Sequence, residues 1–85
     1  MKSFSYVIND KLGIHARPAG ELAGMAKTYE SKVLIQKGEK SIEAKKLLML
    51  MSLGVKQGEE VTVSIEGADE DKAYEELHKF FVENL

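Results

Sequence analysis

The chain has no cysteine. Disulfides and thiolate metal sites are therefore excluded, and the absence is compatible with a reducing compartment. There is no long apolar run either; nothing approaches the roughly 20 residues that span a bilayer, so no direct membrane insertion is expected. The opening MKSFSYVIND lacks the long apolar core of a signal peptide, and a cytoplasmic protein is the expectation. Charge of one sign is lacking too. The net charge of −2 and pI near 5.7 give no basic excess, so no nucleic acid is expected as a partner. Nor is there a metal-ligand cluster, a glycine-rich nucleotide loop or a second acid–base group beside the histidine discussed below. An independent metabolic enzyme, a metal and a cofactor are therefore not expected.

What is present is enough for one small domain over residues 1–85. Hydrophobic residues make up 44% of the chain, which suffices for a modest two-layer core. Residues 3–8 (SFSYVI) alternate, with Phe4, Tyr6 and Ile8 on one face, and predict a half-buried strand. From Ala16 to about Thr28 the period becomes helical, with Ala19, Leu22, Ala23 and Ala26 on the stripe and Met25 and Tyr29 widening it. Pro18, the single proline, must then lie in the first turn, since inside a helix it would cost about 3 kcal/mol.

Residues 32–37 and 40–43 read as strands joined by a turn at Gly38. The short apolar LLMLMSL at 47–53 predicts a helix with Gly54 just past its end. Residues 60–66 (EVTVSIE) alternate cleanly and predict a fourth strand. The segment from Asp69 to the end has acidic residues at its start and an apolar stripe of Ala73, Leu77, Phe80 and Phe81, as suits a last helix. The order βαββαβα predicts an α+β open-faced β-sandwich, a four-stranded antiparallel sheet with three helices on one face. The other face should be polar and wet.

The chemistry concentrates in GIHARPAG, residues 13–20. If the helix starts at Ala16, His15 is at its N-cap, beside backbone N–H groups that have no acceptor. Their partial positive charge disfavours imidazolium, so a neutral, nucleophilic ring is expected. The same N–H groups of Ala16 and Arg17 form a phosphate site at the helix start. The Arg17 guanidinium adds a fixed cation for phosphate oxygens. Gly13, Ala16, Ala19 and Gly20 leave the site uncrowded for an approaching protein. On general grounds a histidine beside an arginine is as readily a solvated surface pair. His78 stands apart in the last helix and is expected to face water or the core rim.

GIHARPAG at 13–20, MSLGVKQGEEVTV at 51–63 and EGADEDKA at 66–73 closely resemble the HPr family, the histidine-containing phosphocarriers of the bacterial phosphoenolpyruvate:sugar phosphotransferase system. The resemblance covers nearly the whole chain. It implies that enzyme I hands a phosphoryl group to Nδ1 of His15, and that His15 passes it to the IIA domain of a sugar permease. It implies that Arg17 stabilises the group in transit. It maps a partner-docking surface onto Ala16, Gly20, Leu47, Leu48, Met49 and Met51, in a monomer. LLMLM supports the mapping independently. It is apolar all round in a very small domain, so part of it should be exposed, and exposed apolar patches mark interfaces. Which of Leu47 and Leu50 faces outward stays open.

The chain also departs from the family. Members from low-GC Gram-positive bacteria carry a regulatory serine where Lys46 stands, and lysine has no hydroxyl to phosphorylate. The basic pair Lys45–Lys46 opposes the dipole of the helix it precedes; it is either a steering rim for acidic partners or a solvated pair. Gly20 and Gly24 each weaken their helix by about 1 kcal/mol relative to alanine. These departures keep an alternative in view: a paralogue acting as a regulatory protein-binding module or in a dedicated phosphorelay.

Overall fold

A computed structural model describes residues 1–85. Strands form where apolar and polar residues alternate: β1 (Lys2–Val7), β2 (Lys32–Lys37), β3 (Lys40–Glu43) and β4 (Glu60–Glu66). Helices form where the stripe has a period near 3.6: α1 (Ala16–Thr28), α2 (Leu47–Ser52) and α3 (Glu70–Asn84). The first strand begins one residue earlier than its pattern predicts and ends at Val7; Ile8 is still buried beyond it. Gly38 and Gly54 both have positive φ, as the hairpin turn and the end of α2 require.

All strand pairs are antiparallel, in the order β1-β4-β2-β3. The register lines up one apolar row across the whole sheet: Phe4 opposite Val63, Val63 opposite Ile35, Ile35 opposite Ile42. The next row on the other face is hydroxyl-rich: Ser5 opposite Thr62, Thr62 opposite Gln36, Gln36 opposite Ser41. The Ser5 and Thr62 hydroxyls lie 3.1 Å apart. Shifting any strand by one residue would exchange the two rows, so burial of one face pins the register.

The helices cover the apolar row. Ala19, Leu22, Ala23 and Ala26 of α1 are buried, as are Leu50 of α2 and Ala73, Leu77, Phe80 and Phe81 of α3. Full burial of a side chain such as Leu22 or Leu77 contributes about 1.5–3 kcal/mol. Phe81 meets Phe4 edge-on at 5.5 Å and Tyr6 at 5.7 Å, favourable geometry for aromatic pairs. His78 is exposed and sits edge-on to Phe4 at 5.0 Å, on the rim of the core. No helix is long and apolar enough to cross a membrane.

The acidic start of α3 does more than complement the helix dipole. Asp69 is the N-cap residue but makes no side-chain capping bond. Its carboxylate instead accepts the backbone N–H groups of Glu30 and Ser31, both at 2.9 Å, and the Ser31 hydroxyl at 2.5 Å. This binds the α1–β2 connection to the β4–α3 connection. Gly67 completes the joint, because a Cβ there would lie 2.5 Å from Ser31 Cα.

The Ser31 hydroxyl, then the Glu30 N–H, hold the Asp69 carboxyl below its ordinary value. A carboxylate depressed in the folded state stabilises the fold fully above its unfolded pKa of about 3.9, and that contribution disappears as pH falls through the folded value. Melting temperature is therefore expected to fall on acidification below about pH 4. Asp69→Asn should melt lower at neutral pH and lose part of that acid dependence. Thermal scans from pH 2 to pH 7 on both proteins would check this.

Candidate functional site

The site is built on a loop that leaves β1 and turns into α1. Asp10 organises it. Its Oδ1 accepts the Leu12 N–H at 2.8 Å, and its carbonyl accepts the Gly13 N–H at 2.9 Å. This is a side-chain turn of the kind Asp favours. Gly13 follows at φ +69°, and a Cβ there would lie 2.1 Å from the Val55 carbonyl oxygen. That same carbonyl accepts the Ile14 N–H at 3.1 Å. Gly13 was expected to leave the site uncrowded for a partner. Its structural task is instead internal: it lets the loop touch the backbone just after α2.

His15 is the N-cap of α1, in extended conformation, with no side-chain capping bond. Its carbonyl accepts the Ala19 N–H at 2.9 Å, which starts the helix. The N–H groups of Ala16 and Arg17 lie in the first turn, where a helix provides no acceptor. Pro18, in the same turn, is buried and has no N–H to satisfy. The first turn therefore has two N–H groups, one and two residues after His15, without an acceptor in the helix.

The His15 side chain is 34% exposed, and its Nε2 lies 3.6 Å from Asp10 Oδ2. Arg17 is 88% exposed, with its Nε 3.8 Å from Glu21 Oε1 one turn along. Asp10, His15, Arg17, Pro18, Glu21 and Asn84 line an open depression of 260 Å³. Three of these, Asp10, Glu21 and Asn84, were not singled out from sequence. The Arg17–Glu21 spacing of four was readable as a helical pair. Asp10 carried no such signal, because only the folded loop brings it back to the ring.

The second helix divides as its composition demands. Leu50 points into the core, as does Leu53 just after the helix. Leu47, Leu48, Met49 and Met51 are exposed, Leu48 at 84%. This settles the open choice between Leu47 and Leu50. Lys46 caps the start of α2 without a side-chain bond to it and pairs with Glu43 at 3.1 Å. At the other end, Lys37 Nζ reaches the Leu53 and Gly54 carbonyls at 3.3 and 3.2 Å. A cation there complements the dipole that Lys46 opposes. The helices α1 and α2 lie against each other. Ala16 is exposed and Gly20 partly so, and a Cβ at Gly20 or Gly24 would meet nothing within 4 Å.

Those glycines make opposite predictions. Gly24→Ala should stabilise the chain by about 1 kcal/mol through helix propensity alone. Gly13→Ala should destabilise it by more than the ~1–2 kcal/mol of left-handed backbone, because the Val55 carbonyl must also move. Urea titrations of both variants would read the two signs.

An open-faced sandwich with a partly exposed imidazole at a helix start, beside first-turn N–H groups and an arginine, is the class of protein that the fold and site define. Comparison with known proteins gives the class a family. The sequence profile described as the PTS HPr component phosphorylation site matches residues 2–83. Phosphocarrier protein HPr of Lysinibacillus sphaericus is 40% identical over 83 residues, covering 98% of this chain and 94% of that one. The solved structure of HPr-C-His from Thermoanaerobacter tengcongensis is similar at a TM-score of 0.90 and 38% identity, over 95% of this chain and 91% of that one. A solved HPr dimer from the same organism matches at a TM-score of 0.72 and 39% identity, over 93% and 91%. The chain belongs to the HPr family of phosphotransferase-system phosphocarriers.

Proposed function

We propose that this chain accepts a phosphoryl group on Nδ1 of His15 from enzyme I and passes it to the IIA domain of a sugar permease. The observation that carries the reading is His15 at the N-cap of α1 with its side chain free of any capping bond. In the accepting step the Nδ1 lone pair attacks phosphorus, the P–N bond forms, and the bond from phosphorus to enzyme I breaks. In the donating step the P–N bond breaks as the IIA acceptor attacks. The Ala16 and Arg17 N–H groups meet the phosphoryl oxygens in both.

Arg17 assists by changing partner. Its contact with Glu21 is exposed and long, and such pairs contribute only about 0–1 kcal/mol. A phosphoryl group on His15 offers stronger, charge-assisted bonds. Release from Glu21 is therefore cheap. The docking surface is the exposed side of the two helices: Ala16, Gly20, Leu47, Leu48, Met49 and Met51. Methionine and leucine on a short helix fit several partners in turn. The chain acts in the cytoplasm as a monomer in this reading.

Incubation with phosphoenolpyruvate, Mg²⁺ and enzyme I should add one phosphoryl to the intact mass, and brief acid should remove it. His15→Ala should acquire none. Its acquiring one would overturn the assignment. Binding to a partner that survives His15→Ala, with no phosphorylation of the parent, would support a regulatory binding module instead. Arg17→Ala should slow transfer to IIA by roughly tenfold or more, in line with the loss of a charged hydrogen-bond partner. Leu48→Asp should weaken docking to enzyme I while leaving the melting temperature nearly unchanged, since Leu48 is exposed; calorimetry on both would check it.

A further inference from the structure

Asp10 stands out among the groups around the depression. Its carboxylate divides its two oxygens between two tasks: Oδ1 is fixed by the Leu12 N–H at 2.8 Å, while Oδ2 faces His15 Nε2 at 3.6 Å. The residue is also held by its backbone. Its N–H donates to the Leu85 backbone oxygen at 2.9 Å, and its carbonyl accepts from Gly13. A carboxylate anchored at this many points has little freedom to turn away from the ring.

The separation of 3.6 Å is longer than a hydrogen bond. Contacts of catalytic groups in unliganded proteins are commonly long and tighten on reaction. The chemistry of the pair is unambiguous in sign. A carboxylate accepts and cannot donate, so it favours the ring form that carries a proton on Nε2. In the neutral ring the other nitrogen, Nδ1, then keeps its lone pair. The other charged groups at the depression do not compete for Nε2: Glu21 is engaged with Arg17, and Arg17 is directed outward.

We propose that Asp10 is a positioning residue, which sets the tautomer of His15 so that Nδ1 is the free nucleophile and shares the ring's positive charge once Nδ1 is phosphorylated. The proposal rests on the phosphoryl-carrier reading for its consequence, but not for the tautomer itself. No proton leaves the ring during transfer. The Nε2 proton stays in place while the P–N bond forms at Nδ1, and the charge gained by the ring faces the Asp10 carboxylate.

Asp10→Asn gives the decisive test. The asparagine carbonyl still accepts the Leu12 N–H, so the loop is retained, but its NH₂ is turned to the ring. A donor there favours the unprotonated Nε2, the opposite tautomer. Nitrogen-15 NMR of the ring in parent and variant should show a predominantly Nε2–H neutral ring in the parent and a gain of the Nδ1–H form in Asp10→Asn. Phosphoryl acceptance from enzyme I should fall by about threefold to tenfold in the variant, on the scale of one lost hydrogen bond. Glu21→Gln removes a neighbouring charge without touching the ring and should leave the tautomer as in the parent.

Asp10→Ala supplies the contrast with a purely structural role. If Asp10→Ala accepts slowly while Asp10→Asn accepts at the parent rate with the parent tautomer, Asp10 only holds the loop and the proposal is overturned. If Glu21→Gln shifts the tautomer as far as Asp10→Asn, general charge rather than position is responsible, and the proposal is again overturned. A parent that is never phosphorylated, yet shows the tautomer change in Asp10→Asn, would defeat the carrier reading and leave the Asp10–His15 pair standing.

Discussion

The backbone contact between Gly13 and Val55 is the constraint on which the site depends. Two chain segments, one leaving β1 and one leaving α2, meet at van der Waals distance with no side chain between them. The Ile14 N–H closes the contact on the Val55 carbonyl. Further along, the Ile8 N–H donates to the Glu59 carbonyl at 2.9 Å, and the Gly58 N–H donates to the Ile8 carbonyl at 2.8 Å. Both segments are therefore tied at two levels. The start of α1 and the end of α2 cannot drift apart, and the histidine and the exposed Leu/Met surface are held as one unit. A residue other than glycine at position 13 would force the segments apart, whatever the quality of the core beneath them.

Much of this was legible in the residues, for identifiable reasons. Period-two alternation marks β1, β2 and β4 because one face is buried and the other wet. The stripe of α1 and that of α3 are visible because each helix packs on one side only. His15 at the N-cap follows from Pro18, which can occupy the first turn and not the interior. The strand order was not legible, because alternation says which face is buried and nothing about neighbours. Leu47 and Leu50 could not be separated either, since six residues are too few for a stripe to show its direction. Asp10 was silent for a different reason. Its proximity to His15 comes from a turn made by its own side chain and a left-handed glycine, and neither leaves a periodic trace.

The second helix shows how a small domain reconciles a core with an exposed apolar surface. Its first residue follows Lys46, a poor helix cap with the wrong charge for the dipole. Nothing local favours a helix starting there. Leu50 and Leu53 in the core, and the Lys37 ammonium at the last carbonyls, hold the other end. Tertiary contacts thus offset a weak start, as is usual for helices too short to be stable alone. The outward residues, Leu47, Leu48, Met49 and Met51, are released from packing duty.

A carrier faces a conflict that a phosphate-binding protein does not. Donors that hold a phosphoryl group well also make it slow to leave. Here the proposed anion site at the start of α1 has two acidic neighbours, Asp10 and Glu21, lining the same depression. At an ordinary phosphate site they would be a defect, since like charges near the ligand weaken it. In the proposed function each has a use. Glu21 gives Arg17 somewhere to rest when no phosphoryl group is present, so that the cation need not be reorganised from solvent each time. Asp10 acts on the far nitrogen of the ring, where its charge meets the imidazolium rather than the phosphoryl oxygens. Glu21 limits how firmly the loaded state is held by competing for Arg17, while Asp10 supports the charge that the loaded ring carries. A site made only of N–H groups and arginine would lack both effects, the competition for Arg17 that eases release and the carboxylate that meets the charge on the ring, and the two acidic residues together keep this one closer to balance.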